Sequence, residues 1–178
     1  MRPGAVPILL GVLLLAGARS AAAQGPSDEA GSVPGKSLYF GVAAEGLVSG
    51  SPGLAIGGIA AIEWERLLIV AEAAFGETFS KWDAFRLGGQ AGAVLLSTAN
   101  APYLLAGVDH GIFVDFIGER RGRTDTALTG EAGYMFRRLN GGRQIWLGVR
   151  GIAPIGSHVY SSAAPQLPLV VLTARFLL

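Results

Sequence analysis

The stretch Leu54-Ala55-Ile56-Gly57-Gly58-Ile59-Ala60-Ala61-Ile62-Glu63-Trp64 decides the fold. Taken at every second residue, one face is Leu54, Ile56, Gly58, Ala60, Ile62 and Trp64, and the other is Ala55, Gly57, Ile59, Ala61 and Glu63. A half-solvated strand of a soluble sheet turns its polar residues away from the core. Here the bulky face carries no charge, while the opposite face has small residues and one carboxylate. This inversion predicts a wall with hydrocarbon outside and a narrow polar space inside.

The same period recurs in segments of about ten residues, the length of a tilted strand crossing a bilayer. It predicts strands over Leu38 to Val48, Leu54 to Trp64, Leu67 to Phe75, Ala84 to Leu96, Pro102 to Val114, Thr126 to Phe136, Gln144 to Ala153 and Leu167 to Leu178. Glu65-Arg66, Ser97 to Ala101 and Asn140-Gly141-Gly142 read as short turns, the last by hairpin chemistry. The other connections, Ser49 to Gly53, Gly76 to Asp83, Asp115 to Asp125 and Pro154 to Gln166, are mostly longer. The resulting fold class is all-β, an eight-stranded antiparallel up-and-down transmembrane β-barrel with short periplasmic turns, longer external loops and both termini periplasmic. His110 falls on the outward side near the far end of the fifth strand, which predicts a bulge or an interfacial position there.

Charge placement follows the same parity. Glu45, Glu63, Glu72, Arg86, Asp109, Glu131, Arg137, Arg150 and Arg175 all fall on the inward side, with Arg138 the exception at a strand end. An outward Arg at mid-depth costs about 2 to 4 kcal/mol, whereas inward acids and arginines can pair. Glu72 and Arg86, on adjacent strands, are the expected direct pair. An eight-stranded barrel is just wide enough for side chains to fill it, which favours an ion-paired plug over a conduit. Phe40, Trp64, Tyr134, Phe136 and Phe176 fall outward at the periplasmic ends, and Phe75 and Phe85 outward at the other, predicting two aromatic girdles.

Composition agrees with a surface that water does not solvate. Of 178 residues 51% are hydrophobic and only 15% charged, and 27 glycines make poor spanning helices. Arg2 followed by the apolar run Ile8 to Ala16 and by Ala21-Ala22-Ala23 reads as a signal peptide, predicted to be removed through Ala23. The expected organisation is therefore 1-23 signal peptide, 24-36 flexible periplasmic segment and 37-178 barrel. The chain has no cysteine, which excludes disulfides and Cys-ligated zinc. A formal net charge of +1 gives no ground for a nucleic-acid partner.

From Leu38 to Leu178 the chain resembles the small outer-membrane barrels of the OmpA and OmpX type, through its strand number, parity, turn and loop alternation and closing strand. Val170-Val171-Leu172-Thr173-Ala174-Arg175-Phe176-Leu177-Leu178 is similar to the C-terminal signal read by the outer-membrane assembly machinery, with Leu178 where Phe is usual and Phe176 two residues before it. The resemblance implies insertion by that machinery and contact with outer-membrane lipid and lipopolysaccharide.

Three constellations carry candidate chemistry. Arg120, Arg121 and Arg123 cluster on the third external loop, where they could meet lipopolysaccharide phosphates or simply form a solvated hairpin tip. His110 and His158 are the two histidines. Some eight-stranded outer-membrane barrels hydrolyse or transfer lipid A acyl chains with His, Ser and an acid. His110 lacks the serine two residues on that such a deacylase carries, and His158 follows Ser157. No phosphate-binding glycine motif or metal-ligand spacing appears, so no cofactor is expected. The expected function is a monomeric outer-membrane barrel with a packed, ion-paired interior and a structural, anchoring or surface-interaction role; the alternatives are an outer-leaflet lipid-modifying enzyme and a narrow pore. A soluble lipocalin-like barrel would need the reverse parity.

Overall fold

The computed structural model describes residues 36–48, 52–79, 82–115, 120–137, 143–160 and 169–178, without the side chains of Lys36, Asp115, Arg120, Arg121 and Arg137. The signal peptide, residues 24–35 of the expected lead-in, Arg138 and the Asn140-Gly141-Gly142 turn lie outside the described residues. Within them run β1 (Lys36–Leu47), β2 (Gly53–Trp64), β3 (Leu67–Thr78), β4 (Asp83–Val94), β5 (Asn100–Asp115), β6 (Arg120–Arg137), β7 (Gln144–Val159) and β8 (Val170–Leu177). They form a closed barrel in sequence order, each strand antiparallel to the next, with β1 closing onto β8.

The stagger of the barrel follows from its register. Starting at Lys36, the row of paired residues runs through Trp64, Leu67, Ala93, Leu104, Ala132, Val149 and Leu172 and returns to β1 at Gly46. The row has climbed from position 36 to 46, a shear of 10 residues. A row followed from β1 toward β8 therefore rises from the end where β2 passes into β3, here the turn end, to the end where β1 passes into β2, here the loop end. Against expectation, the connections after β1, β3 and β5 are no longer than those after β4 and β6. Such a stagger goes with strands inclined about 40° and an interior that side chains fill.

The period-2 faces separate cleanly. Ile56, Leu87, Leu104, Leu147 and Leu172 stand on the exposed outer wall, while Leu68, Tyr103, Met135, Trp146 and Leu177 are buried inside. Phe40, Trp64, Phe75, Phe85, Tyr134, Phe136 and Phe176 are all exposed on the outside. The turn after β2 is two residues long, and Glu65 takes a φ of 55° there, a left-handed conformation uncommon without glycine.

The loop end differs from the sequence reading. The pattern placed loops at Gly76 to Asp83, Asp115 to Asp125 and Pro154 to Gln166. Instead β3 continues to Thr78, β6 begins at Arg120 and β7 runs to Val159. β8 in turn starts at Val170, three residues later than expected. In the extended parts of β6 and β7 the outward residues are Thr126, Thr124, Gly156 and His158, so hydropathy stops alternating while backbone pairing goes on. The bulge expected at His110 lies farther along. His110 pairs regularly with Thr126, and the register shifts between Phe113 and Val114, with Gly122 as the extra residue. A second shift leaves Ile155 as the extra residue opposite Thr126 and Ala127, next to Pro154, which has no N–H to give a ladder.

Candidate functional site

Inward-facing residues stack in three layers. Nearest the turn end is an apolar layer that includes Tyr39, Leu68, Val94, Met135, Trp146 and Leu177. Nearest the loop end is a second, of Leu47, Phe113, Ala127, Ile152 and Val171, with Trp82 and Ala84 packed against it. Between them lies a belt of charge.

The belt holds three guanidiniums, Arg86, Arg150 and Arg175, and four carboxyl groups, Glu45, Glu72, Asp109 and Glu131, all buried. Seven of the eight strands contribute a polar side chain, with β2 supplying Gly57 and Ile59 instead. Arg86 donates from Nη1 to Asp109 Oδ2 at 2.6 Å and from Nε to Glu45 Oε2 at 3.2 Å. Its Nη2 reaches both Glu45 Oε1 and Glu72 Oε1. Arg150 stands at the centre, with Nε on Glu131 Oε2 at 2.9 Å, Nη1 between Glu45 Oε1 at 3.2 Å and Asp109 Oδ2 at 3.3 Å, and Nη2 on Glu72 Oε2 at 3.3 Å. Arg175 grips Glu131 with both terminal nitrogens, Nη2 at 2.8 Å from Oε2 and Nη1 on Oε1, and its Nε donates to Glu72 Oε2 at 2.9 Å.

Neutral groups complete the belt. Tyr103 donates its hydroxyl to Glu131 Oε1 at 2.6 Å, and Thr173 donates to the same oxygen at 3.2 Å. Gln90 Nε2 donates to Thr129 Oγ1 at 3.1 Å. Arg175 lies 6.0 Å above the Trp146 ring, whose Nε1 donates to Gln144 Oε1 at 2.7 Å. Among the described residues Asp109 Oδ1 is the belt atom with no hydrogen-bond partner. It presses against Gly88, where a Cβ would overlap it.

Of the charged residues singled out from the sequence, the structure joins seven in this belt. Glu63 is wholly buried but belongs near the turn end, opposite Ser37 and Leu68. Arg137 ends β6 opposite Gln144, and its side chain lies outside the described residues. Tyr103, Gln90, Thr129 and Thr173 have inward parity in the sequence as well, but their part in the belt's hydrogen bonds emerges only from the structure. The two sealing layers carry no charge, so the pattern of inward charges does not reveal them.

The arginine cluster expected on an external loop is corrected: Arg120, Arg121 and Arg123 belong to strand β6. Arg123 turns inward, its Nε donating to Asp125 at 2.6 and 2.8 Å and its Nη2 to Ser157 Oγ at 2.9 Å. Ser157 and His158 are consecutive strand residues and point to opposite faces, His158 against the Tyr160 ring at 4.6 Å. They form no nucleophile and base pair. His110 is exposed on the outer wall with Nδ1 2.9 Å from Thr126 Oγ1.

No protein-family model and no curated protein matches the chain. Among solved structures it is similar to Neisserial surface protein A (NspA), with a TM-score of 0.55 and 13% identity over 80% of this chain and 95% of that one. A structure from the de novo design of transmembrane β-barrels aligns over 82% of this chain and 95% of its own, with a TM-score of 0.41 and 11% identity. The likeness to the Neisserial protein is one of fold, the closed antiparallel barrel described above.

Proposed function

We propose that this chain is an integral outer-membrane barrel whose interior is a sealed plug, and that it serves a structural, anchoring or surface-interaction role. One observation carries the reading: charges are buried between two apolar layers while the outer wall presents Leu, Ile, Val and Phe. An exterior of this kind has no stable place in water. In hydrocarbon a closed barrel satisfies every ladder hydrogen bond and needs no further cover. The signal sequence would export the chain, the closing strand would present it to the assembly machinery, and the monomer would lie with its turns in the periplasm. Lipid covers the wall in this reading, and lipopolysaccharide surrounds the loop end.

The plug favours a closed barrel over a pore. A solute would have to displace Trp146 and Met135 at one end and Phe113 and Leu47 at the other, and to break the belt between them. We assign no catalytic role to His158, since Ser157 is engaged by Arg123 and faces away from it. Reconstitution into planar bilayers tests the reading. Detergent-dependent extraction, heat-modifiable gel migration and the absence of unit conductance are expected. Recovery of the mature chain from the aqueous fraction without detergent would overturn it.

A further inference from the structure

The outer wall is not uniformly bulky. Two adjacent rows of paired residues, Gly58, Ala73, Leu87 and His110 in one and Ala60, Ala71, Gly89 and Val108 in the other, cross from β2 to β5. Their glycines and alanines leave a groove of about 600 Å³ that ends at His110. Because rows rise from β1 toward β8, the His110 end is the higher one, nearer the loops. With strands tilted about 40° and about 4.8 Å apart, one strand step lifts a row by about 3 Å and two residues along a strand by about 5 Å. Leu87 shares a row with His110, and Phe85 is two residues above Leu87, so His110 stands within about 2 Å of the height of the aromatic Phe85. That is the level of headgroups in the reading proposed above.

We infer that this groove binds one acyl chain of a phosphate-bearing outer-leaflet lipid, with His110 and Thr126 holding the phosphate. The inference rests on the outer-membrane reading. The apolar bed lies below and the polar pair above, the order of chain and headgroup in that leaflet. The pair offers a donor in either tautomer. If Nδ1 accepts from the threonine hydroxyl, Nε2 carries a proton outward; if Nδ1 donates, the hydroxyl proton is free to turn outward. A second groove of about 810 Å³, over Ala174, Ala44, Ile56 and Phe75, rises instead to Glu77 and Asp83, whose carboxylates would repel a phosphate. A second copy of the chain is a poorer occupant, since a stable protein interface covers roughly 800 Å² per partner and this bed is two short rows of mainly small residues.

The full chain folded in dodecyl maltoside, a detergent without phosphate, gives two imidazole NMR signals, one for each of its 2 histidines. Saturable movement of the His110 signal is expected with dioleoylphosphatidylglycerol and not with dioleoylglycerol or inorganic phosphate. A Cβ at Gly89 meets nothing within 4 Å, so Gly89→Leu fills the groove without disturbing the wall and should weaken the response at least tenfold. His158→Ala should leave it unchanged. A silent His110, an equal response to inorganic phosphate, full response in Gly89→Leu, or a dimer that Gly89→Leu converts to monomer would each overturn the inference. Heat-modifiable migration of the same sample separates the failures: a barrel that migrates as folded while His110 stays silent refutes the lipid site alone.

Discussion

Tyr103 fills the space that a side chain at Gly133 would need. The two residues are directly paired across β5 and β6, and a Cβ on Gly133 would overlap both Cζ and the hydroxyl oxygen of the tyrosine. Leaning over the glycine carries the hydroxyl to Glu131, so one aromatic both covers a bare stretch of strand and supplies a donor to the belt. Gly133→Ala should displace the ring and also press on the Leu147 carbonyl oxygen, which cannot swing aside, so it should cost about 3 kcal/mol or more, the upper end for overpacking a filled core. Urea unfolding in detergent reads the loss. Tyr103→Phe keeps the cover and removes the donor, and should cost about 1.5 to 3 kcal/mol, as for other hydrogen bonds to charged groups.

Arg175 and Glu131 are held by two parallel contacts in a dry site. Removing one partner leaves a buried charge, so Arg175→Met alone should destabilise by about 3 to 5 kcal/mol. Combined with Glu131→Gln, the loss should fall short of the sum of the single losses by more than about 1 kcal/mol. Simple additivity in the double-mutant cycle would show that the two groups are not coupled.

The sealing layers should behave as ordinary core. Phe113→Ala at the loop end and Trp146→Ala at the turn end should each cost about 3 to 5 kcal/mol. Neither alone should produce unit conductance, because the belt and the opposite layer stay in place. A single substitution that opens a steady current would contradict the three-layer interior.

Outer-wall substitutions read the surroundings directly. Val149 is exposed at mid-wall, and Val149→Arg should cost about 2 to 4 kcal/mol in lipid, against roughly 0 to 1 kcal/mol for Ile155→Arg near the loop end. Equal and small costs at both positions would mean that water, not hydrocarbon, bathes the wall.

The left-handed turn residue Glu65 is a place to gain stability. Glycine adopts this conformation without a Cβ penalty, and Glu65→Gly should stabilise by about 0.5 to 1 kcal/mol despite its greater freedom when unfolded. A raised urea midpoint with unchanged slope would register it.

Much of the barrel could be read from residues alone, because parity along a strand is a local property. Leu54 to Trp64 states its two faces without reference to any other segment, and the strongly apolar stretches of all eight strands repeat the statement. The inward placement of Glu45, Glu72, Arg86, Asp109, Glu131, Arg150 and Arg175 came from the same source. Local pattern failed where Thr124, Thr126, Gly156 and His158 make the outer face polar, and there backbone pairing between β5, β6 and β7 set the strand ends instead.

Adjacency of β3 and β4 let the sequence name one contact, Glu72 with Arg86, which the structure contains; contacts between groups on distant strands were beyond its reach. Arg150 and Glu45 are 105 residues apart along the chain, and their contact exists because the barrel closes with a stagger of 10 residues and brings both to one height on the axis. A different stagger would keep every face and every charge inside, yet pair each arginine with other acids. Side-chain direction is set by neighbouring backbone geometry, whereas height around a closed sheet is set by the sum of all eight registers, and only the folded chain adds them up.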